Sequence, residues 1–201
     1  MADISTFYPS VVGGGIPKYA EFTSNGTWTP PQALIDAGGR VSYLVVGGGG
    51  SGSGLTNSSN YLGGSGGTVK TGYDTLANTN SVAITIGAGG ASTSAQDGND
   101  GADSVIAFTS AGGTSVTATG GKGAQGTTQL NATENGNGWG AISSSSTTSY
   151  SNAHPGYMGI YGRGGGASVF SGDKIPAANT GSGSAGSQTA ADGFVRITWY
   201  E

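Results

Sequence analysis

The 201-residue chain contains 42 glycines, no cysteine and only 9% charged residues, with a formal net charge of -4 at pH 7. Leu, Ile, Val and Phe together stay below the roughly 20% that marks a folded domain, but the low charge argues against disorder, which combines weak hydrophobicity with high net charge. The composition excludes a disulfide framework and a thiolate metal site, and the scattered Lys and Arg residues form no basic stripe for nucleic acid.

Residues 1–18 are predicted to be an anchoring peptide, separate from the domain that follows. The side chains expected to contact a partner protein are Ile4, Phe7, Tyr8, Val11 and Val12. They offer too little apolar area to fold alone but suit a groove on another protein, and a frayed terminus is the alternative interpretation. The first residues lack the pattern of a signal peptide and no apolar run reaches the length of a membrane span, so we expect assembly in a cytoplasm without membrane insertion.

Short segments of alternating polarity follow from residue 19. The predicted strands are residues 19–23, 27–29, 40–46, 68–73, 81–87, 104–108, 115–119 and 193–199. The first two indicate a hairpin, or else a strand that ends at the following prolines, and only residues 32–37 have a helical period. Many short strands separated by turns predict an all-β fold, a jelly-roll-like β-sandwich with glycine-rich loops over residues 19–201.

Several of these strands run directly into glycine. Leu44, Val45 and Val46 precede four consecutive glycines, and Ile86 and Thr119 are also followed by glycine tracts. Glycine weakens a strand, so such tracts indicate sites where backbones must approach closely. One interpretation is short polyglycine II helices with three residues per turn, for which residues 63–67 have a suitable triplet pattern, and plain glycine loops are the alternative.

The one acidic cluster lies at residues 97–103, where the oxygens of Asp97, Asn99, Asp100 and Asp103 form a weak calcium candidate. Asp and Asn beside glycine are also ordinary turn formers, so the turn interpretation is favoured and no metal or cofactor is expected. Ser51 and Ser53 stand between glycines but no helix follows them, as a nucleophile elbow would require. We therefore expect no catalytic residues and no enzymatic activity.

The strand pattern lapses between residues 127 and 161, which predicts an inserted loop rich in aromatic, amide and hydroxyl side chains. Rings give flat apolar contacts at low entropic cost, and amides satisfy the hydroxyl groups of sugars. The candidate receptor-binding residues are Asn137, Trp139, Tyr150, Asn152, His154, Tyr157 and Tyr161. The alternative is that these rings hold the loop against its own domain or a neighbouring subunit.

The order of motifs along the chain adds a family resemblance. The motifs are FTSNGTWTP at 22–30, VVGGGG at 45–50, VAITIGAGG at 82–90, GNDGADS at 98–104, ATGG at 118–121 and DGFVRI at 192–197. In this order they resemble the glycine-rich domain of bacteriophage tail-fibre and receptor-binding proteins, over about residues 19–200. The resemblance implies a virion protein that contacts a bacterial surface, often as an oligomer.

These observations together predict a bacteriophage structural protein, a fibre or knob that mediates attachment to the host cell. The expected partners are other virion proteins, two further copies in a homotrimer, and a polysaccharide or outer-membrane protein as receptor. A capsid decoration or head-fibre protein is the main alternative. A tail-spike polysaccharide depolymerase is disfavoured because it needs paired carboxylates in a cleft, whereas the few acids here cluster in one turn or stand alone.

Overall fold

Short antiparallel strands provide nearly all the regular structure of the chain. The computed structural model describes residues 15–53, 61–94, 97–125, 142–143, 161–162, 178–184 and 188–201. The strands are β1 (Pro17–Phe22), β2 (Gly26–Trp28), β3 (Arg40–Val46), β4 (Tyr61–Leu62), β5 (Val69–Thr75), β6 (Val82–Thr85), β7 (Ser104–Ile106), β8 (Val116–Ala118), β9 (Ile142–Ser143) and β10 (Phe194–Tyr200). Helix α1 (Gln32–Asp36) and a 3₁₀ turn (Phe108–Ala111) complete the described elements.

The main strands form two antiparallel sheets packed face to face. The first sheet has the order β1-β10-β3-β5 and the second has the order β2-β6-β7-β8, while β4 and β9 pair separately. The inner faces meet through contacts of β3 with β7 and β8 and of β5 with β8. This arrangement confirms the predicted all-β sandwich.

The first two strands do not form a hairpin, so that interpretation is wrong. β1 pairs with β10 in the first sheet, and β2 pairs with β6 in the second. The turn between them carries the chain from one sheet to the other, and the Asn25 side chain fixes this corner by accepting a hydrogen bond from the Ile86 amide at 2.8 Å. The alternative, a strand that ends at the following prolines, is correct, since β2 ends at Trp28, just before Pro30 and Pro31.

The core lies between the two sheets and follows the predicted alternation of apolar side chains. Val195, Ile197 and Trp199 of β10 are buried on one face, opposite Val82 and Ile84 of β6. The rings of Trp28 and Trp199 lie 5.3 Å apart between centroids, across the two sheets. Each such aliphatic side chain stabilises the fold by about 1.5–3 kcal/mol relative to an exposed position.

The sandwich has two opposite ends, which we call poles. At one pole, here called the terminal pole, the Ile16 amide donates to the Glu201 carbonyl at 2.8 Å. At the opposite pole, here called the glycine pole, β3, β6 and β8 end while β5, β7 and β10 begin. No helix in the described ranges has the length or apolarity needed to cross a bilayer.

Candidate functional site

Seven extended segments continue from the glycine pole and form what we call the polyglycine bundle. They are residues 47–53, 64–68, 87–90, 98–103, 119–124, 181–184 and 190–193. Three of them continue the ends of β3, β6 and β8, and three lead into β5, β7 and β10. The bundle is therefore a direct prolongation of the sandwich, built largely from main chain.

The segment 47–53 lies at the centre of the bundle and donates hydrogen bonds in three directions. The amides of Gly47 and Gly50 reach the carbonyls of Thr68 and Ser65, at 3.0 and 2.9 Å. The amides of Gly48 and Ser51 bind the segment 98–103, whereas the Gly49 amide binds the Ala191 carbonyl at 2.9 Å. Every third residue thus faces the same neighbour, as expected for a helix with three residues per turn and no internal hydrogen bonds.

The carbonyls of the central segment accept hydrogen bonds from the three remaining neighbours. The Gly48 oxygen accepts from the Gly121 amide at 2.7 Å, the Gly49 oxygen from the Gly90 amide at 2.8 Å, and the Gly50 oxygen from the Ser184 amide at 3.1 Å. Segments that accept from the centre alternate around it with segments that donate to it. The central segment therefore has six neighbours in a hexagonal arrangement.

The six outer segments also bind one another and close a ring. Around the ring the order is 64–68, 119–124, 98–103, 87–90, 190–193, 181–184 and back to 64–68. Adjacent segments run in opposite directions. This hydrogen-bonding pattern is that of polyglycine II, so that interpretation is confirmed for these segments and the plain-loop alternative is wrong.

Steric contact explains why the centre of the bundle is glycine. A Cβ atom at Gly48 would lie 2.2 Å from the Ala88 oxygen, and one at Gly49 would lie 2.1 Å from the Ser182 oxygen. Atoms cannot approach that closely, so any side chain would push the segments apart. Ser51 follows these glycines in the same segment, and its buried hydroxyl accepts a hydrogen bond from the Asn99 amide at 2.7 Å.

Three carboxylates satisfy outward-facing amides of the ring. Asp192 accepts from the Gly89 amide at 2.7 Å, Asp103 from the Gly120 amide at 2.9 Å and Asp100 from the Gly123 amide at 2.8 Å. Asp100 also forms an ion pair with Lys122, and the hydrogen bond that the Lys122 ammonium donates to Asp100 raises the pKa of Lys122. A charge-assisted bond of this kind is stronger than a neutral one.

These contacts bear directly on the calcium hypothesis. Asp100 and Asp103 bind backbone amides, and the Asn99 side chain donates to the Ala91 carbonyl at 3.0 Å. Within the part of the chain described by the structure, no three acidic or histidine side chains converge as a metal site would require. Residues 98–103 form an extended bundle segment, so the turn interpretation is wrong for them, and Asn99, Asp100 and Asp103 hold neighbouring bundle segments together.

Most of the predicted contact residues lie outside the described residues. This applies to the five anchoring side chains of residues 1–14 and to Asn137, Trp139, Tyr150, Asn152, His154 and Tyr157. Tyr161 is described, and its ring stacks on Phe194 at 5.7 Å between centroids and 12° between planes. It joins Val46 and Val69 in a small apolar cluster, which is the packing role that the alternative interpretation assigned to it.

The outer end of the bundle, here called the loop pole, is where the predicted insertion departs. The segment 119–124 runs away from the sandwich and reaches this end at Ala124, which bonds to Ser51 and Gly98 shortly before the predicted insertion. Gly64 and Ser184, which bond to each other, also lie at this end. The loop pole thus brings the ends of several connections together on one rigid support.

Sequence reasoning identified the glycine tracts that follow strands, and residues 63–67 before β5, but missed the segments that precede β7 and β10. Residues 98–103 and 190–193 contain Asp, Asn and Ala as well as glycine, so they resemble ordinary turns. These segments could have been found from one signal in the sequence, the glycine-containing stretches that occur before as well as after the apolar strands. Residues 181–184 adjoin no described strand, and nothing in their local pattern marks them as part of the ring.

Comparison with known proteins gives one result that covers nearly the whole chain. A family model described as a glycine-rich domain matches residues 21–200. No curated protein matches the chain significantly. The matched range includes all seven segments of the bundle and both sheets except the first four residues of β1.

Proposed function

The chain belongs to the glycine-rich domain family, and on that premise we propose that it is a structural protein of a bacteriophage virion that attaches the particle to the host cell surface. The virion assignment rests on the resemblance in motif order to tail-fibre and receptor-binding proteins. In this proposal Ile4, Phe7, Tyr8, Val11 and Val12 of the predicted anchoring peptide 1–18 fix the protein to other virion proteins. The loop pole presents the insertion of residues 127–161 to a bacterial receptor.

The observation that carries the proposal is the separation of the terminal pole from the loop pole. Residue 15, which adjoins the proposed anchor, lies at the terminal pole, whereas the insertion leaves the bundle at the loop pole. Seven residues of β10 at about 3.3 Å each and seven of the central segment at about 3.1 Å each place the poles about 45 Å apart. A protein that links a particle to a cell needs such opposed ends.

The construction of the bundle also supports a role in contact with a receptor. Binding residues commonly occupy loops that a rigid scaffold positions. Here the scaffold is a lattice of main-chain hydrogen bonds with few side chains that could repack. The bundle residues from which the loops depart are therefore fixed without a large apolar core beneath them.

Blocking of adsorption by the purified protein tests the proposal. We expect the wild-type chain to compete with phage particles for cells, and the double variant Trp139→Ala with Tyr157→Ala to lose this competition while folding normally. The control variant Tyr19→Ala, which removes an exposed ring from the sandwich, should block as well as the wild type. Undiminished blocking by the double variant would contradict the assignment of the receptor contacts.

The capsid decoration alternative predicts a different result. Labelled protein would be seen on the shell of imaged particles, and the purified chain would not block adsorption. Removal of residues 1–14 should prevent incorporation under either function, because both use the same anchor. Normal incorporation of the truncated chain would contradict the anchoring role.

A further inference from the structure

The exposed tyrosines of the sandwich share one surface, the outer face of the first sheet. Tyr19, Tyr73 and Tyr200 are 68%, 70% and 45% exposed. Tyr200 follows the core residue Trp199 in β10, so its side chain points away from the core. The ladders place Tyr19 and Tyr73 on the same side of the sheet. The outward strand positions of the second sheet carry neither rings nor charges, and they are Thr27, Ala83, Thr85, Val105 and Thr117.

One cluster on this outer face combines a cation, an aromatic ring and hydroxyl groups. The Arg40 guanidinium lies over the Tyr73 ring, 5.2 Å from the centroid. Ser42 is directly opposite Tyr73, and Thr71 and Thr75 flank the ring along β5 on the same side. We propose that this cluster, here called the Arg40 site, binds a carboxylated sugar unit of an acidic glycan. The site uses no residue of the insertion and so goes beyond the contacts of the proposed attachment role.

The guanidinium of Arg40 is available to a ligand carboxylate. Among the residues that the structure describes, Arg40 takes part in no ion pair. Asp74 of the adjacent strand is opposite the core residue Val41, so its carboxylate points to the other side of the sheet, where Oδ2 accepts from the Thr114 amide at 2.7 Å. A guanidinium presents five donors in a fork that matches a carboxylate, so the two groups can form a pair of parallel hydrogen bonds.

A second tyrosine on the same face has the same geometry without the available charge. Tyr19 lies under Arg196, whose guanidinium is 5.9 Å from the ring centroid. The Arg196 Nε atom donates to Glu21 at 2.7 Å, and this ion pair neutralises the cation. The acidic ligand should therefore choose Arg40, and Tyr19 provides a matched position that should not bind it.

The surroundings of Tyr73 suit a pyranose ring. An exposed aromatic side chain gives a flat apolar contact for the C–H face of a sugar at low entropic cost. The hydroxyls beside it both donate and accept, as the hydroxyl groups of a sugar require, and they belong to Ser42, Thr71 and Thr75. The outer face is open along the strands, so the bound unit can belong to a longer chain.

The same surroundings disfavour a protein partner. The centre of a protein interface is apolar and poor in serine. The aliphatic side chains of this face are not free beside Tyr73, because Val46 and Val69 are buried in the cluster that includes Tyr161, and Leu44 packs against them. A glycan is therefore the better match to a single ring surrounded by hydroxyls and one cation.

Saturation-transfer NMR on the full chain tests the proposal with oligogalacturonate, oligomannuronate and hyaluronan fragments as probes. We expect at least one to bind with a Kd near about 1 mM at low ionic strength, as for a small exposed contact, and to bind more weakly as salt is added. Arg40→Gln should weaken that binding about tenfold, because it removes a charge-assisted pair of hydrogen bonds. Tyr73→Ala should weaken it about fivefold by removal of the ring.

Two control variants match these changes. Lys70→Gln removes the same charge from β5, but Lys70 is opposite the core residue Val45 and points to the other side of the sheet. Tyr19→Ala removes an equally exposed ring from the same face. Both should leave the binding of the acidic probe unchanged. Circular dichroism of each variant separates loss of binding from loss of fold.

Several results would overturn the proposal. Absence of binding to all the acidic probes would do so, as would equal weakening by Lys70→Gln and Arg40→Gln, which would show that only net charge matters. Equal affinity for the neutral sugar maltohexaose would contradict the role of the carboxylate. Equal affinity for hexaglutamate would show that the Arg40 site selects acidic groups without selecting a sugar.

Discussion

At the scale of single residues, Gly48 shows how little space the centre of the bundle contains. Replacement by alanine would place a Cβ atom 2.2 Å from the Ala88 oxygen. The clash is with backbone, which cannot rotate away, so we expect Gly48→Ala to cost about 3 kcal/mol or more. Thermal unfolding should show a Tm lower by about 10 °C.

Gly26→Ala is the matched control for this variant. A Cβ atom at Gly26 would meet only the Phe22 ring at 3.5 Å, an ordinary contact distance, and β2 tolerates a side chain there. The Tm of this variant should stay within about 2 °C of the wild-type value. Similar Tm values for the two variants would show that the close packing around Gly48 does not limit stability.

The ion pair of Lys122 with Asp100 gives a second prediction at this scale. Its hydrogen bond raises the pKa of Lys122 in the folded state, so the pair stabilises the protein at pH values below the ordinary lysine pKa. This contribution is lost as the pH rises through the raised folded pKa. Because both side chains are about half exposed, the contribution is at most about 1 kcal/mol.

Thermal unfolding of wild type and Lys122→Met between pH 8 and pH 12 would measure this effect. The wild type should have a Tm higher by up to about 3 °C at the lower pH, and the difference should vanish at the upper limit. Subtracting the two curves cancels the titration of other lysines and tyrosines. A difference that is constant with pH would contradict the assigned role of the pair.

At the scale of elements, hydrogen exchange should distinguish the bundle from ordinary glycine loops. The amides of Gly47, Gly48 and Gly49 each donate to a different neighbouring segment. Their exchange therefore requires the bundle to open, so we expect protection close to that of β3, far above that of the exposed turn at Ser24. Mass spectrometry of exchanged peptides spanning residues 43–53 would show rapid uptake in the glycine part if the bundle were absent.

The elements themselves were largely predictable because each depends on local patterns. Alternating Val195, Ile197 and Trp199 marked β10, and the prolines at 30 and 31 marked the end of β2. The pairing of β1 with β10 was not predictable, since it joins the two ends of the described chain and leaves no local signal. The hexagonal ring was not predictable either, because its main-chain hydrogen bonds do not depend on the side chains of the residues that form them.

At the scale of the whole molecule, the sparse apolar residues and the resemblance to tail-fibre proteins together lead us to propose a trimer. A small core is supplemented when identical subunits bury surface against one another. Sedimentation of the purified chain should therefore give the mass of three copies at micromolar concentration. A monomer at that concentration would contradict this prediction but would leave the proposed roles of the two poles intact.

The candidate receptor contacts could be located by sequence only to a segment. The lapse of strand pattern after residue 127 marked the insertion, but assigning single side chains would require knowing how the insertion folds back. Tyr161 illustrates the difficulty, because its sequence context resembles that of Tyr157 although its ring packs on Phe194.

Main-chain hydrogen bonds hold the bundle together, so the structure of the loop pole does not depend on which side chains its loops carry. A peptide spliced between residues 53 and 64 would begin and end on neighbouring positions of the lattice, which stay in register whatever the spliced sequence is. The bundle is therefore a fixed scaffold that can carry different loops. New binding specificities should be obtainable by grafting loops there, with no redesign of the protein beneath them.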